Sequence, residues 1–184
     1  MNLKTLALLA AGAAAVASCG EGGAVSKNVA SSSPHDSEIA LLTAEEFVHV
    51  VAANDRLAVE ASAFLSKSRS DKMKAFAAEM REAHKASSEQ LRSAAALLTP
   101  SVRVDDTLNA DQQRSLDIVS RLSGAIRDSA FRRTQIEAHE TILSILTSYA
   151  ASGDNQKLRD FASKMALIES EHLKSAREMM IMAQ

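Results

Sequence analysis

The chain has 184 residues, 46% of them hydrophobic and 24% charged, with a formal net charge of -2. That suits one globular domain with some chain to spare, and it fits neither wholesale disorder nor the basic face of a nucleic-acid binder. A single cysteine and 3% aromatics exclude an intramolecular disulfide, a thiolate metal cluster and an array of stacking platforms for bases.

Residues 1–18 read as an export signal rather than as fold. Lys4 gives a positive start, and Leu6 to Val16 is an unbroken run of small and apolar residues. The run is too short to span a bilayer, which takes about 20 residues, and it fits the apolar core of a secretory signal. It ends Val16-Ala17-Ser18-Cys19, which resembles the cleavage box of bacterial lipoproteins. On that resemblance Cys19 is lipidated and becomes the new N-terminus. Gly20 stands where Asp would signal inner-membrane retention, so the expected address is the periplasmic face of the outer membrane. Residues 19–38 are rich in Gly and Ser, include Pro34 and lack apolar periodicity, as a flexible tether does. The folded domain is expected over residues 39–184, held by its core alone.

From residue 39 on there are one proline, Pro100, and two glycines, Gly124 and Gly153, among many Ala, Leu, Glu, Lys and Arg. Such scarcity of breakers predicts long helices and an all-α domain. The first helix starts at Thr43, which has the spacing of a capping box with Glu46. Its apolar stripe is Phe47, Val50, Val51, Leu57, Ala58, Ala61 and Leu65. A polar turn at residues 67–70 leads to a second helix with Asp71 as its N-cap. That helix carries Met73, Phe76, Ala77, Met80, Leu91, Ala95 and Leu98, and stops before Pro100. Asn109 and Gln112 have the spacing to cap a short extra helix with Leu116, Val119 and Leu122. After a break at Ser123-Gly124 comes a third long helix over residues 125–151. A turn at Gly153-Asp154 leads to a fourth from Asn155 to the end.

The second and fourth long helices open alike. Lys72-Met73-Lys74-Ala75-Phe76-Ala77-Ala78-Glu79-Met80 aligns with Lys157-Leu158-Arg159-Asp160-Phe161-Ala162-Ser163-Lys164-Met165, and Phe64 aligns with Tyr149 at the same offset. This predicts two copies of one αα-hairpin, pairing as an up-down four-helix bundle.

Polar residues interrupt the stripes. His84 continues the row of Met73 and Met80, His139 that of Ile136, and His172 that of Met165. Heights counted from the hairpin turns place Asn54, His84, His139 and Glu169 in one layer. His172 and Glu60 lie about one turn away, and His49 sits off its stripe as a solvated residue. Two readings fit the layer: a buried hydrogen-bonded network that fixes helix register, or a site for Zn, Cu, Fe or Mn. A pH-sensitive role is a third. A di-iron centre wants Glu-x-x-His on two helices. Here Glu169-x-x-His172 supplies one, while Arg81 stands three before His84. The methionines on the stripes read as core filling. No nucleophile elbow, phosphate loop or dinucleotide fingerprint is present, so no catalytic residue is assigned and no enzyme is expected.

The arrangement resembles a secreted bacterial ferritin-like family, domain of unknown function four-one-four-two, over about residues 44–180. The matching segments are Val59-Glu60, Met73-Lys74-Ala75-Phe76-Ala77 with Met80 and His84, Leu122-Ser123-Gly124, Gln135-Ile136-Glu137-Ala138-His139, and Glu171-His172-Leu173 with Ala176. The chain departs from the family at Ala83, where members usually carry Asp, and at residues 166–168, which lack the usual proline. The resemblance implies a ferritin-like bundle, often exported or lipid-anchored, without an established activity, and singles out Glu60, His84, His139 and His172. The expected protein is therefore a lipid-anchored module of the cell envelope, monomeric or dimeric, with binding or structural work. The alternative is a metal-binding or metal-dependent redox protein using His84, His139, Glu169, His172 and Glu60.

Overall fold

The structure is a computed structural model that describes residues 42–181. The signal segment, Cys19 and the whole tether lie outside the described residues. Five α-helices follow in order: α1 (Ala44–Ala63), α2 (Asp71–Ala96), α3 (Ala110–Arg121), α4 (Gly124–Ser152) and α5 (Gln156–Ile181), with a 3₁₀ turn at Phe64–Lys67 closing α1. α4, with 29 residues, is about 43 Å long at 1.5 Å per residue.

The helix starts follow the local chemistry of the sequence. Thr43 and Glu46 form the expected capping box, as do Asn109 and Gln112. α2 is capped one residue earlier than expected. The Ser70 hydroxyl accepts from Met73 N at 3.2 Å, and Asp71 falls inside the first turn, where its carboxylate meets the helix dipole. α4 begins at Gly124, whose φ of 57° lies in the left-handed region that suits glycine.

α1 and α2 form one hairpin, α4 and α5 the other, and α2 packs on α5 while α1 packs on α4. At one end Phe47 stacks on Tyr149 with ring centroids 3.9 Å apart, Ala44 N donates to Asp154 Oδ2, and Lys157 Nζ donates to Leu97 O. At the other end the Ser68 hydroxyl donates to Asp128 Oδ2 at 2.7 Å and Arg127 donates to Phe64 O. These contacts make every pair of ring neighbours antiparallel. In chain order the helices run up, down, down and up. Residues 97–109 and α3 form the crossover between the hairpins, packed along α1, where His49 Nδ1 lies 2.8 Å from Asp105 O. His49 is thus half-buried against the crossover rather than solvated. Arg127 and Asp128 thus tie the hairpin turn to α4.

The core has two apolar parts. One gathers Phe47, Val51, Leu91, Leu146, Tyr149, Leu158 and Met165 near the α1 N-terminus. The other gathers Leu57, Leu65, Met73, Phe76, Met80, Phe131 and Ala176 towards the opposite end. Between them all four long helices contribute buried polar residues. Among the described residues no helix is long and apolar enough to cross a membrane.

The two domain glycines are held by different constraints. A Cβ on Gly153 would run into the Tyr149 ring, which is itself pinned by Phe47 and Asp154. A Cβ on Gly124 meets open space, but its positive φ strains any L side chain. Gly153→Ala is expected to cost about 2–3 kcal/mol through overpacking. Gly124→Ala is expected to cost about 1 kcal/mol through backbone strain. Urea unfolding followed by circular dichroism ranks the two, and equal stabilities would contradict the packing account.

Candidate metal centre

The polar layer is built from residues that keep the helical spacing of the core. On α4 the row Phe131, Gln135, His139, Ile142 and Leu146 is buried along its whole length, with His139 1% exposed. On α2, His84 follows Met80 by one turn and is 0% exposed. On α5, Glu169 follows Met165 by one turn, and His172 sits three residues further on. Each polar side chain is thus carried into the centre by apolar residues above and below it on the same stripe.

His84, His139, Glu169 and His172 converge, each offering one donor atom, with all four atoms within 4.8 Å of one another. His139 Nε2 lies 3.4 Å from His84 Nε2 and 3.4 Å from Glu169 Oε2. His172 Nδ1 lies 3.9 Å from the same Glu169 oxygen. The three imidazole centroids are 5.3, 5.5 and 5.6 Å apart, close to an equilateral triangle.

Hydrogen bonds fix the ring tautomers. His139 Nδ1–H donates to the Gln135 carbonyl at 2.6 Å, because a carbonyl can only accept. Its Nε2 is therefore a bare lone pair facing the centre. His84 Nδ1–H donates to Asp55 Oδ1 at 2.8 Å, turning Nε2 inward as well. Glu169 Oε2 and His172 Nδ1 are buried without a hydrogen-bond partner among the described residues, as are Ser87 Oγ and both amide atoms of Gln135.

Burial and charge divide the layer electrically. Desolvation, aided by the charge on His84, pulls the His139 pKa down to about 3, and the same two causes pull His172 to about 4. Desolvation also acts against charge on His84. There the hydrogen bond that His84 donates to Asp55 and the negative charges of Glu169 and Asp55 outweigh it, and the pKa is raised. Glu169 is pushed up to about 7 by desolvation, against the pull of His84 and with the push of Asp55. At neutral pH the layer thus presents two uncharged imidazoles, His139 and His172, beside His84 held towards its charged form and a Glu169 carboxyl poised between its neutral and ionised forms. Such a set is ready to take a cation.

Of the residues singled out from the sequence, the structure brings four together and places two elsewhere. Glu60 is not near the cluster. It lies half-exposed on the outer side of α1, with Oε1 2.7 Å from Arg56 Nε, and lines a cleft of about 280 Å³ with Lys85, Ser88 and Asp106. Asn54 is buried but turns to the other side, into a cleft of about 260 Å³ shared with α3 and α4. The residue of α1 that reaches the layer is Asp55, 1% exposed. Neighbours on a helix point about 100° apart, so one position decides the matter. Asp55 lies four residues after Val51 and three before Ala58, and Asn54 lies three after and four before, so spacing alone does not choose between them.

Structural comparison places the fold among known helical bundles. A crystal structure of a DUF305 fragment from Deinococcus radiodurans matches with a TM-score of 0.65 at 10% identity, over 74% of this chain and 93% of that one. CopM in its Cu(II)-bound form matches with a TM-score of 0.61 at 13% identity, over 74% of this chain and 95% of that one. No curated protein matches the chain. The family described as Domain of unknown function (DUF4142) matches residues 29–179. That span takes in α1 to α4 and nearly all of α5, so the chain belongs to the DUF4142 family, with the ferritin-like four-helix architecture that its residues predict.

Proposed function

We propose that this protein binds a divalent transition-metal ion in the middle of its bundle, and that Cys19 lipidation holds it on the periplasmic face of the outer membrane. One observation carries the metal reading: four nitrogen and oxygen donors from three helices converge within 4.8 Å, and two of them have no other partner. Buried polar atoms are nearly always satisfied, so orphans that face one point ask for a shared partner. A tetrahedral ion with bonds of about 2.0–2.1 Å needs donors about 3.3–3.4 Å apart, and the two shortest donor pairs are 3.4 Å apart. Imidazole and carboxylate donors suit Zn(II) and Cu(II). CopM, which shares this fold, is known in a Cu(II)-bound form, so copper is the first ion to test alongside zinc.

His84, His139 and His172 would hold the ion through ring nitrogens, with Glu169 giving an oxygen. A bound ion supplies Lewis acidity and, for copper, electron transfer. The chain supplies the dry surroundings, the fixed tautomers and the two neutral rings. The competing reading, a purely structural hydrogen-bonded layer, leaves Glu169 Oε2 and His172 Nδ1 unexplained.

Full-length protein is expected to take up one equivalent of Cu(II) or Zn(II), read by elemental analysis after gel filtration. At an ion concentration of about 100 times Kd, binding stabilises the fold by about 2.7 kcal/mol. His139→Leu should remove both effects while remaining folded, since His139 is uncharged at neutral pH and its loss leaves no unpaired buried charge of its own. No uptake by the wild type would remove the metal reading.

Glu169 gives a pH-dependent signature. Its folded pKa of about 7 lies above the 4.5 of the free side chain. Its contribution to stability is therefore complete below about pH 4.5 and lost as pH rises through 7. Glu169→Gln is expected to leave metal-free stability unchanged at pH 4 and to raise it by about 1–3 kcal/mol at pH 8. The same variant should lose metal affinity. A stability gain equal at both pH values would contradict the buried-carboxylate account.

Cys19→Ser is expected to shift the protein from membrane to soluble periplasmic fractions. Stable anchoring takes more than one acyl chain, which the lipoprotein cysteine provides. Retention of the variant in membranes would contradict the anchor.

A further inference from the structure

Asp55 is the buried charge that the four-donor centre does not use. Its Oδ1 accepts from His84 Nδ1 at 2.8 Å and its Oδ2 accepts from Ser88 Oγ at 3.3 Å, so both oxygens are occupied and neither is among the converging donors. Its position is tight, with the side chain 1% exposed. From α5, Glu169 Oε1 approaches the same His84 nitrogen to 3.9 Å. Among the described residues no Lys or Arg pairs with either carboxylate. The nearest guanidinium on α1, that of Arg56, is engaged outside by Glu60 and Asp106.

The layer therefore combines two carboxylates with three imidazoles and has no fixed cation. A bundle interior tolerates charge only when it is balanced. With the three rings neutral as donors, a divalent ion brings the set to zero, and a monovalent ion leaves it at minus one. Resting on the metal reading, we infer that Asp55 sets the valence selectivity of the centre. Held one ring-width from the ion through His84, it makes the site prefer Cu(II) and Zn(II) over Cu(I). The same hydrogen bond directs His84 Nε2 inward, as carboxylate partners of ligand histidines generally do.

Asp55→Asn separates the charge from the geometry. The amide oxygen can still accept from His84 Nδ1–H, and the amide NH2 can donate to Ser88 Oγ, so the charge is lost with both contacts kept. Full-length wild type and variant are compared by competition against chelators of known affinity for Zn(II), Cu(II) and, anaerobically, Cu(I). The variant is expected to bind Zn(II) and Cu(II) 10–100-fold more weakly and Cu(I) less than threefold more weakly. The Cu(II):Cu(I) affinity ratio then falls more than threefold, and each tenfold fall is a rise of about 59 mV in the copper potential. Ser88→Ala, which keeps the charge, should leave that ratio within threefold. Equal losses for both valences, or no loss, would reduce Asp55 to a positioning residue and overturn the inference. Should the Asn variant not fold, the wild type decides. A centre that binds Cu(I) or Ag(I) as tightly as Zn(II) overturns the selectivity while leaving the metal reading intact, whereas no binding of any ion overturns both.

Discussion

The structure depends on a layer of charge buried where its helices would otherwise be apolar. Asp55, His84, His139, Glu169 and His172 occupy the middle of a bundle whose two apolar cores lie above and below them. Removing one member of such a buried pair commonly costs about 3–5 kcal/mol, while replacing the whole by apolar residues is often neutral. A layer like this stabilises the fold little by itself. It does demand one arrangement, because sliding a helix by a turn would bring a carboxylate or imidazole into a core with no partner for it.

That constraint explains the division of work along the bundle. The ends are closed by local devices: the Phe47–Tyr149 stack with Asp154 at one, and Ser68, Asp128 and Arg127 at the other. The middle is left to the polar groups. Two clefts flank it without being lined by the four donors, one reaching Ser88 and the other reaching Asn54. His172 is the most exposed member of the set at 9%. The centre is dry enough to make electrostatics strong, and close enough to the surface of α5 for an ion to arrive.

The internal repeat separates the packing residues from the polar ones. α2 and α5 are 26 residues each and keep one offset at both ends. Phe76 and Phe161 are buried equivalents, as are Met80 and Met165. The same offset sets His84 opposite Glu169, two different donors at equivalent places. It sets Asp55 against Glu140, which is exposed and bonded to Arg177 on the outside of the bundle. The hairpins share their packing residues and differ in their polar ones. A near-symmetric shell thus carries an asymmetric centre of three imidazoles and one carboxylate, backed by a second carboxylate on one side only.

Local chemistry and periodicity, which reside in the sequence, determined the all-α class, the five helices, both capping boxes, the hairpin repeat and the burial of His84, His139, Glu169 and His172. Each of these follows from residues a few positions apart. Rotation of α1 about its own axis does not. Asn54 and Asp55 are both polar and both near the middle of the stripe. Only the packing of α1 against α2, α3 and α4 decided that Asp55 meets His84 while Asn54 faces the crossover and Glu60 points outward to Arg56. The way the hairpins pair was likewise a tertiary matter, since two amphipathic hairpins can join in more than one sense, and the crossover through α3 selected one. The distances that turn four polar residues into a candidate metal centre exist only once helices far apart in the chain share a core.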